Sequence, residues 1–156
     1  MDQTPTDGGV VALVRPPFVY LVAIVAGLGL EAAWPTPPLP AVVAPLGVVL
    51  VVLAVTLAAL SIRELRAART TFRTEEPTTT IVRTGPYRRS RNPIYLAFTL
   101  LQLGIGFWRN SAWVLALLVP ALLLVYFGTI AREERYLEQK FGDEYRRYKA
   151  DVSRWL

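Results

Sequence analysis

The chain has 156 residues and contains neither His nor Cys. A Ser-His-Asp triad, a zinc hydrolase, thiolate catalysis and Cys-based metal sites are therefore excluded, and no metal is expected. The polar groups that remain gather in two segments. The first, Arg63 to Asn92, ends in Arg88-Arg89-Ser90-Arg91-Asn92, followed by Pro93-Ile94-Tyr95. The second, Arg132 to Leu156, opens with Arg132-Glu133-Glu134-Arg135. Arginines beside a helix start suit a carboxylate or phosphate. A carboxylate at Glu133 or Glu134 suits a cationic or hydroxyl-bearing ligand, or else pairs with Arg132, Arg135 or the arginines of 83–91. Such groups bind and orient a ligand.

The elements that position these groups are hydrophobic. Hydrophobic residues make up 53% of the chain and charged residues 19%, less charge than the roughly 25% of a soluble domain. Ala41 to Leu60 is twenty residues without a charge, about 30 Å as a helix, which matches a bilayer core. Ser111 to Ala131 is a second such run, with Pro120 inside it. Phe18 to Leu30 is a third, which Val10 to Val14 extends across Pro16 and Pro17 if Arg15 reaches back to the interface. Ile94 to Trp108 is shorter and pairs with the Ser111 run as a hairpin turning at Arg109-Asn110. These runs predict an all-α polytopic membrane protein with about four spans. Residues 1–9 are expected to form a tail, 10–62 two membrane helices, and 63–156 a core built round the hairpin 93–131.

Charge placement fits this reading. Of the 17 Lys and Arg, eight lie between Arg63 and Arg91 and seven between Arg132 and Arg154. Four spans put these segments on one side. The loop Glu31 to Pro40 on the other side has no Lys or Arg, and its Pro-rich part forms a stiff external cap. The positive-inside rule makes the basic side and both termini cytoplasmic. The net charge of +5 thus reflects membrane topology, with lipid headgroups as partners and no nucleic acid. Residues 1–9 carry two Asp and no basic residue, so a secretory signal is not expected.

Local signals refine the polar segments. The β-branched run Thr78 to Thr84 predicts extended chain. Gly85-Pro86-Tyr87 predicts a turn. Asn92 is a favoured helix cap and Pro93 a favoured first residue, so the third membrane helix starts there. Gly142 ends or kinks the last helix. If that helix runs on, Phe141, Tyr145 and Tyr148 form one stripe, a pattern usual for packing. Trp155 reads as an interface anchor.

Two stretches resemble a known family. Gly85-Pro86-Tyr87-Arg88-Arg89-Ser90-Arg91-Asn92-Pro93-Ile94-Tyr95 resembles a G-x-Y-x-x-x-R-[HN]-P-x-Y signature. Glu133-Glu134, Leu137, Phe141-Gly142, Tyr145 and Tyr148 resemble its companion E-E-x-x-L-x-x-x-F-G-x-x-Y-x-x-Y. Together they are similar to the isoprenylcysteine carboxyl methyltransferase and phospholipid methyltransferase group of membrane enzymes. The resemblance covers about Thr78 to Trp155. It implies methyl transfer from S-adenosylmethionine to a lipophilic acceptor at the cytoplasmic face of a bacterial inner membrane. The implied cofactor contacts are Thr79, Thr80, Ile81 and Val82, then Gly85, Tyr87 and Arg91, then Asn92, Pro93, Ile94 and Tyr95 at the helix start. Glu133 and Glu134 complete them. Glu133, Tyr95 and Asn92 are the groups it places at the reaction. The prenylcysteine enzymes carry His where this chain has Asn92, which argues against a prenylcysteine substrate. Two other readings remain: a sterol-reductase-like membrane protein that binds NADPH, and a lipid-binding scaffold without turnover. The acceptor and the oligomeric state are not set by the sequence.

Overall fold

The computed structural model describes residues 15–70 and 79–156. The expected tail 1–9, the extension Val10 to Val14 and Thr78 lie outside the described residues. The described chain is helical and contains no strand. Helix α1 spans Pro16–Ala33 and α2 spans Val43–Ala67. A single 3-10 turn, Gly85–Arg88, precedes α3, Pro93–Trp108. Short helices α4 (Ala112–Ala116) and α5 (Leu118–Val125) follow. One π turn, Tyr126–Ile130, joins α5 to α6, Ala131–Phe141. Helix α7 covers Asp143–Asp151.

Three stretches are long and apolar enough to cross a membrane: Pro16–Ala33, Val43–Ala67 and Ala112–Phe141. Helix α3 is apolar too, but its 16 residues rise only about 24 Å. Large side chains stand exposed along these helices, among them Phe18, Val25, Val52, Leu123 and Phe127. A lipid environment removes the cost of that exposure. The molecule is a polytopic membrane protein.

Helices in lipid gain little from burying apolar area against each other, so they rely on close contact between small residues. Helices α2 and α3 do this at Gly47 and Gly104. A Cβ on Gly104 would stand 2.9 Å from the Gly47 carbonyl oxygen and 2.9 Å from Val51 N, both backbone atoms that cannot yield. Gly104→Leu is therefore expected to separate the pair. The check is a fall in the thermal midpoint of detergent-solubilised protein, against no change for Gly29→Leu, where open space surrounds the Cβ position.

The ends of the bundle differ in chemistry. At one end the Pro-rich loop is tied to the hairpin turn. Asn110, at φ +55, accepts from Leu39 N at 2.8 Å. Glu31 accepts from Thr36 N at 2.6 Å and from the Ser111 hydroxyl at 2.9 Å. Trp113 Nε1 donates to the Trp34 carbonyl. The turn at Arg109-Asn110 falls where the sequence puts it. The other end carries α6, α7 and the loop before α3.

That loop is fixed from α2, which continues about two turns beyond Leu60 and carries Arg63, Glu64 and Arg66 there. Glu64 accepts from the Thr84 hydroxyl at 2.6 Å. Gly85 then turns at φ +55, and a Cβ there would meet Glu64 Cγ at 2.7 Å. Both facts demand glycine at the turn.

Candidate cofactor site at the polar end of the bundle

Helix α3 begins at Pro93, as the Asn92-Pro93 pair predicts, but Asn92 does not cap it with its side chain. The Asn92 carboxamide instead donates to the Arg154 carbonyl at 3.3 Å. The Asn92 carbonyl accepts the first helical bond, from Leu96 N. Local propensity loses here to a segment more than 60 residues away in sequence. The Ser90 hydroxyl also donates to the Arg154 carbonyl, and Arg91 N donates to the Ser153 carbonyl at 3.0 Å. Residues 153–155 thus form a strap across the start of α3. Trp155 is half-buried and packs against the cluster of Tyr20, Tyr95, Ala121, Val125 and Ile130.

Helix α6 brings the two acidic residues beneath this strap. The π turn supplies one extra residue, which rotates the following helix by about 100° relative to an unbroken α-helix. In this register Glu133 accepts from the Tyr95 hydroxyl at 2.7 Å, a short bond. Glu134 is paired twice. Arg154 Nε and Nη2 donate to its two oxygens at 2.9 and 2.8 Å. Arg91 Nη2 lies 3.5 Å from Glu134 Oε1, with both side chains only 8% exposed. The Tyr145 hydroxyl also lies beside the Arg91 guanidinium, but Arg91 Nε and Nη1 are buried and make no hydrogen bond of good geometry. A buried guanidinium with two idle donors is costly unless a ligand satisfies them.

Tyrosines close the site. The Tyr148 hydroxyl donates to the Tyr87 carbonyl at 2.7 Å, and pins the 3-10 turn under α7. Gly142, at φ +53 and ψ −124, breaks the chain between α6 and α7, so the aromatic stripe reduces to Tyr145 and Tyr148, both buried. Burial pushes Tyr148 up to about 12, and burial raises Tyr87 and Tyr145 as well, with the Glu133 charge adding to Tyr87 and the Glu134 charge to Tyr145. The folded state prefers these phenols neutral, so stability is intact below about pH 10 and is lost as pH climbs from there towards 12. A thermal midpoint that falls steeply over that interval is expected, and Tyr148→Phe should flatten the fall.

The remaining candidates divide by place. Val82 and Ile94 pack with Leu65 and Tyr87 in an apolar cluster. Thr79 and Thr80 are exposed, and Thr79 N donates to the Thr70 hydroxyl at the end of α2. Ile81 is half-buried and Pro93 fully buried. Tyr87, Arg91, Asn92, Tyr95, Glu133 and Glu134 gather round the strap, whereas Thr79 bonds to Thr70 and Arg69 beyond the end of α2. Sequence reasoning missed Arg154, Tyr126 and Glu64. Only the matched acidic sign of Glu64 and the Thr84-Gly85 turn offered any signal, and nothing in spacing marks Arg154. A groove of about 140 Å³ runs between α2 and α3, lined by Ala54, Val55, Ala58, Ala97, Phe98 and Leu101. Phe98 packs against both the Tyr95 and the Tyr87 clusters.

Residues 42–144, about two thirds of the chain, match the family model for phospholipid methyltransferases. The chain belongs to the phospholipid methyltransferase family. Family membership and the spanning helices make it a membrane methyltransferase. Similar proteins include an uncharacterised protein of Haemophilus influenzae, 44% identical over 63 residues, which are 40% of this chain and all of that protein. The cobalt-zinc-cadmium resistance protein CzcN of Cupriavidus metallidurans is 38% identical over 64 residues, 41% of this chain and 30% of that protein. Methanethiol S-methyltransferase 1 of Bradyrhizobium diazoefficiens is 44% identical over 69 residues, 43% of this chain and 22% of that enzyme. The match thus spans less than a third of these last two. No solved structure matches. Within this phospholipid methyltransferase fold, the strap, α6 and the start of α3 make up the polar site.

Proposed function

We propose that the protein transfers a methyl group from S-adenosylmethionine to a lipophilic acceptor at the membrane surface that carries α6 and α7. The observation that carries this reading is the buried Arg91 with two unsatisfied donors, held just before α3 against Glu134, the residue next to Glu133 of the Tyr95–Glu133 pair on α6. The residues fit the cofactor. Arg91 suits its carboxylate, and Glu133 suits its ammonium or ribose hydroxyls. Tyr87 and the 79–82 segment are the further contacts that the family resemblance implies. When bound, S-adenosylmethionine supplies an electrophilic methyl group on a sulfonium.

The chain's part is to orient and to exclude water, which is where most of the acceleration of an in-line displacement can come from. Asn92 is no base near neutral pH, and its carboxamide is committed to Arg154. Glu134 is held by two guanidinium groups, and Tyr95 already donates its proton to Glu133. Glu133 is left as the carboxylate to take a proton from an acceptor that must lose one. The apolar groove between α2 and α3 offers a seat for the acceptor's hydrocarbon part, and the similarity to a methanethiol S-methyltransferase supports a small lipophilic acceptor. The basic end faces the cytoplasm by the positive-inside rule.

The test is transfer of labelled methyl from S-adenosylmethionine in two arms, one with methanethiol and one with vesicles of bacterial membrane lipid. Label in the volatile or the lipid fraction, dependent on Glu133, is expected. Protein that binds the cofactor yet labels neither fraction would contradict the reading.

A further inference from the structure

We propose that Arg154 is a positioning residue that keeps Arg91 open for the ligand's carboxylate; this rests on the reading of the site as an S-adenosylmethionine site. Two guanidinium groups compete for one carboxylate, Glu134. Arg154 takes both oxygens in a fork, at 2.9 and 2.8 Å. Arg91 approaches only one of them, through Nη2 at 3.5 Å. Its Nε and Nη1 remain buried and unsatisfied. A carboxylate held at both oxygens cannot swing to fill those donors. Freed of Arg154, Glu134 would turn onto Arg91 and occupy the place that a ligand carboxylate needs.

Arg154 is itself fixed at both ends, as a positioning residue must be. Its Nη1 donates to the Tyr126 hydroxyl at 2.9 Å, and its guanidinium carbon lies 5.1 Å from the centre of the Tyr126 ring. Its backbone carbonyl accepts from Asn92 and Ser90. The Glu134 hydrogen bonds hold the Arg154 guanidinium well above its ordinary range, so it stays charged throughout. Tyr126 opens the π turn, so the irregular turn that aims α6 also supplies the surface on which Arg154 rests. Asn92 and Ser90 gain a role here that does not involve touching the ligand: they hold the strap.

The test compares binding of S-adenosylmethionine with that of its decarboxylated form, which lacks only the carboxylate, by calorimetry on full-length protein in detergent. A charge-assisted contact at Arg91 predicts that wild-type protein prefers the carboxylate form by about 10- to 100-fold. Arg154→Ala is expected to erase that preference while affinity for the decarboxylated form stays within about threefold. Arg154→Lys, which keeps the charge and loses the fork, should keep only part of the preference, and it carries the comparison if Arg154→Ala does not fold. Equal weakening towards both ligands would show a merely structural role and overturn the proposal, as would an undiminished preference. Wild-type protein that binds neither ligand would instead remove the reading of the site beneath it.

Discussion

Glu133→Gln is expected to raise the dissociation constant for S-adenosylmethionine by about 10- to 100-fold, the range set by a hydrogen bond to a charged group. The substitution is informative because it is nearly isosteric. Gln keeps an oxygen to accept from the Tyr95 hydroxyl, now at 2.7 Å from Glu133, and removes only the charge. Tyr95→Phe is the complement: it removes the donor and keeps the carboxylate. Its expected effect is smaller, about 2- to 10-fold, because a neutral hydroxyl contributes less. Calorimetric titration of the three proteins gives both numbers. An unchanged constant in Glu133→Gln would take Glu133 out of the site.

Glu134→Ala should produce the largest loss of stability of any substitution at this end of the molecule, about 3–5 kcal/mol. Its carboxylate is 8% exposed and compensates Arg91, which is buried to the same extent. Without it two guanidinium groups face each other in a region sealed by Tyr145 and the strap. The comparison is Glu144→Ala. Glu144 sits on the surface 3.7 Å from Arg83, and an exposed pair of that kind contributes little. Thermal midpoints of the two variants in the same detergent should therefore differ widely. A Glu134→Ala midpoint close to that of Glu144→Ala would show that Arg91 is not held by this carboxylate.

The membrane helices were legible because each depends on a long uncharged run, and such a run in lipid satisfies its own backbone groups only as a helix. The start of α3 was legible from two adjacent residues, Asn92 and Pro93, and the hairpin turn from Arg109-Asn110. The use made of Asn92 was not. Its carboxamide answers to Arg154 at the far end of the chain, a contact between segments that share no spacing. The register of α6 was hidden for a related reason. One π turn rotates Glu133 towards Tyr95 and Glu134 towards Arg91, and composition does not reveal an added residue in a turn. Glu134, one of the expected cofactor contacts, proves to be occupied by two arginines. The packing of Trp155 was not legible, because its neighbours Tyr20 and Tyr95 come from distant helices. The motifs named the residues that gather at this end of the bundle, whereas how they are wired to one another depended on the fold.

On the proposed function, Arg91, Tyr95 and Glu133 form the seat of a methyl donor beneath the C-terminal strap. The most direct measurement is calorimetric titration of folded, detergent-solubilised protein with S-adenosylhomocysteine, with NADPH as the control. Saturable binding of S-adenosylhomocysteine, lost in Arg91→Ala and in Glu133→Gln, with no heat from NADPH, is the result predicted. Binding of NADPH alone, or S-adenosylhomocysteine binding indifferent to both substitutions, would contradict it.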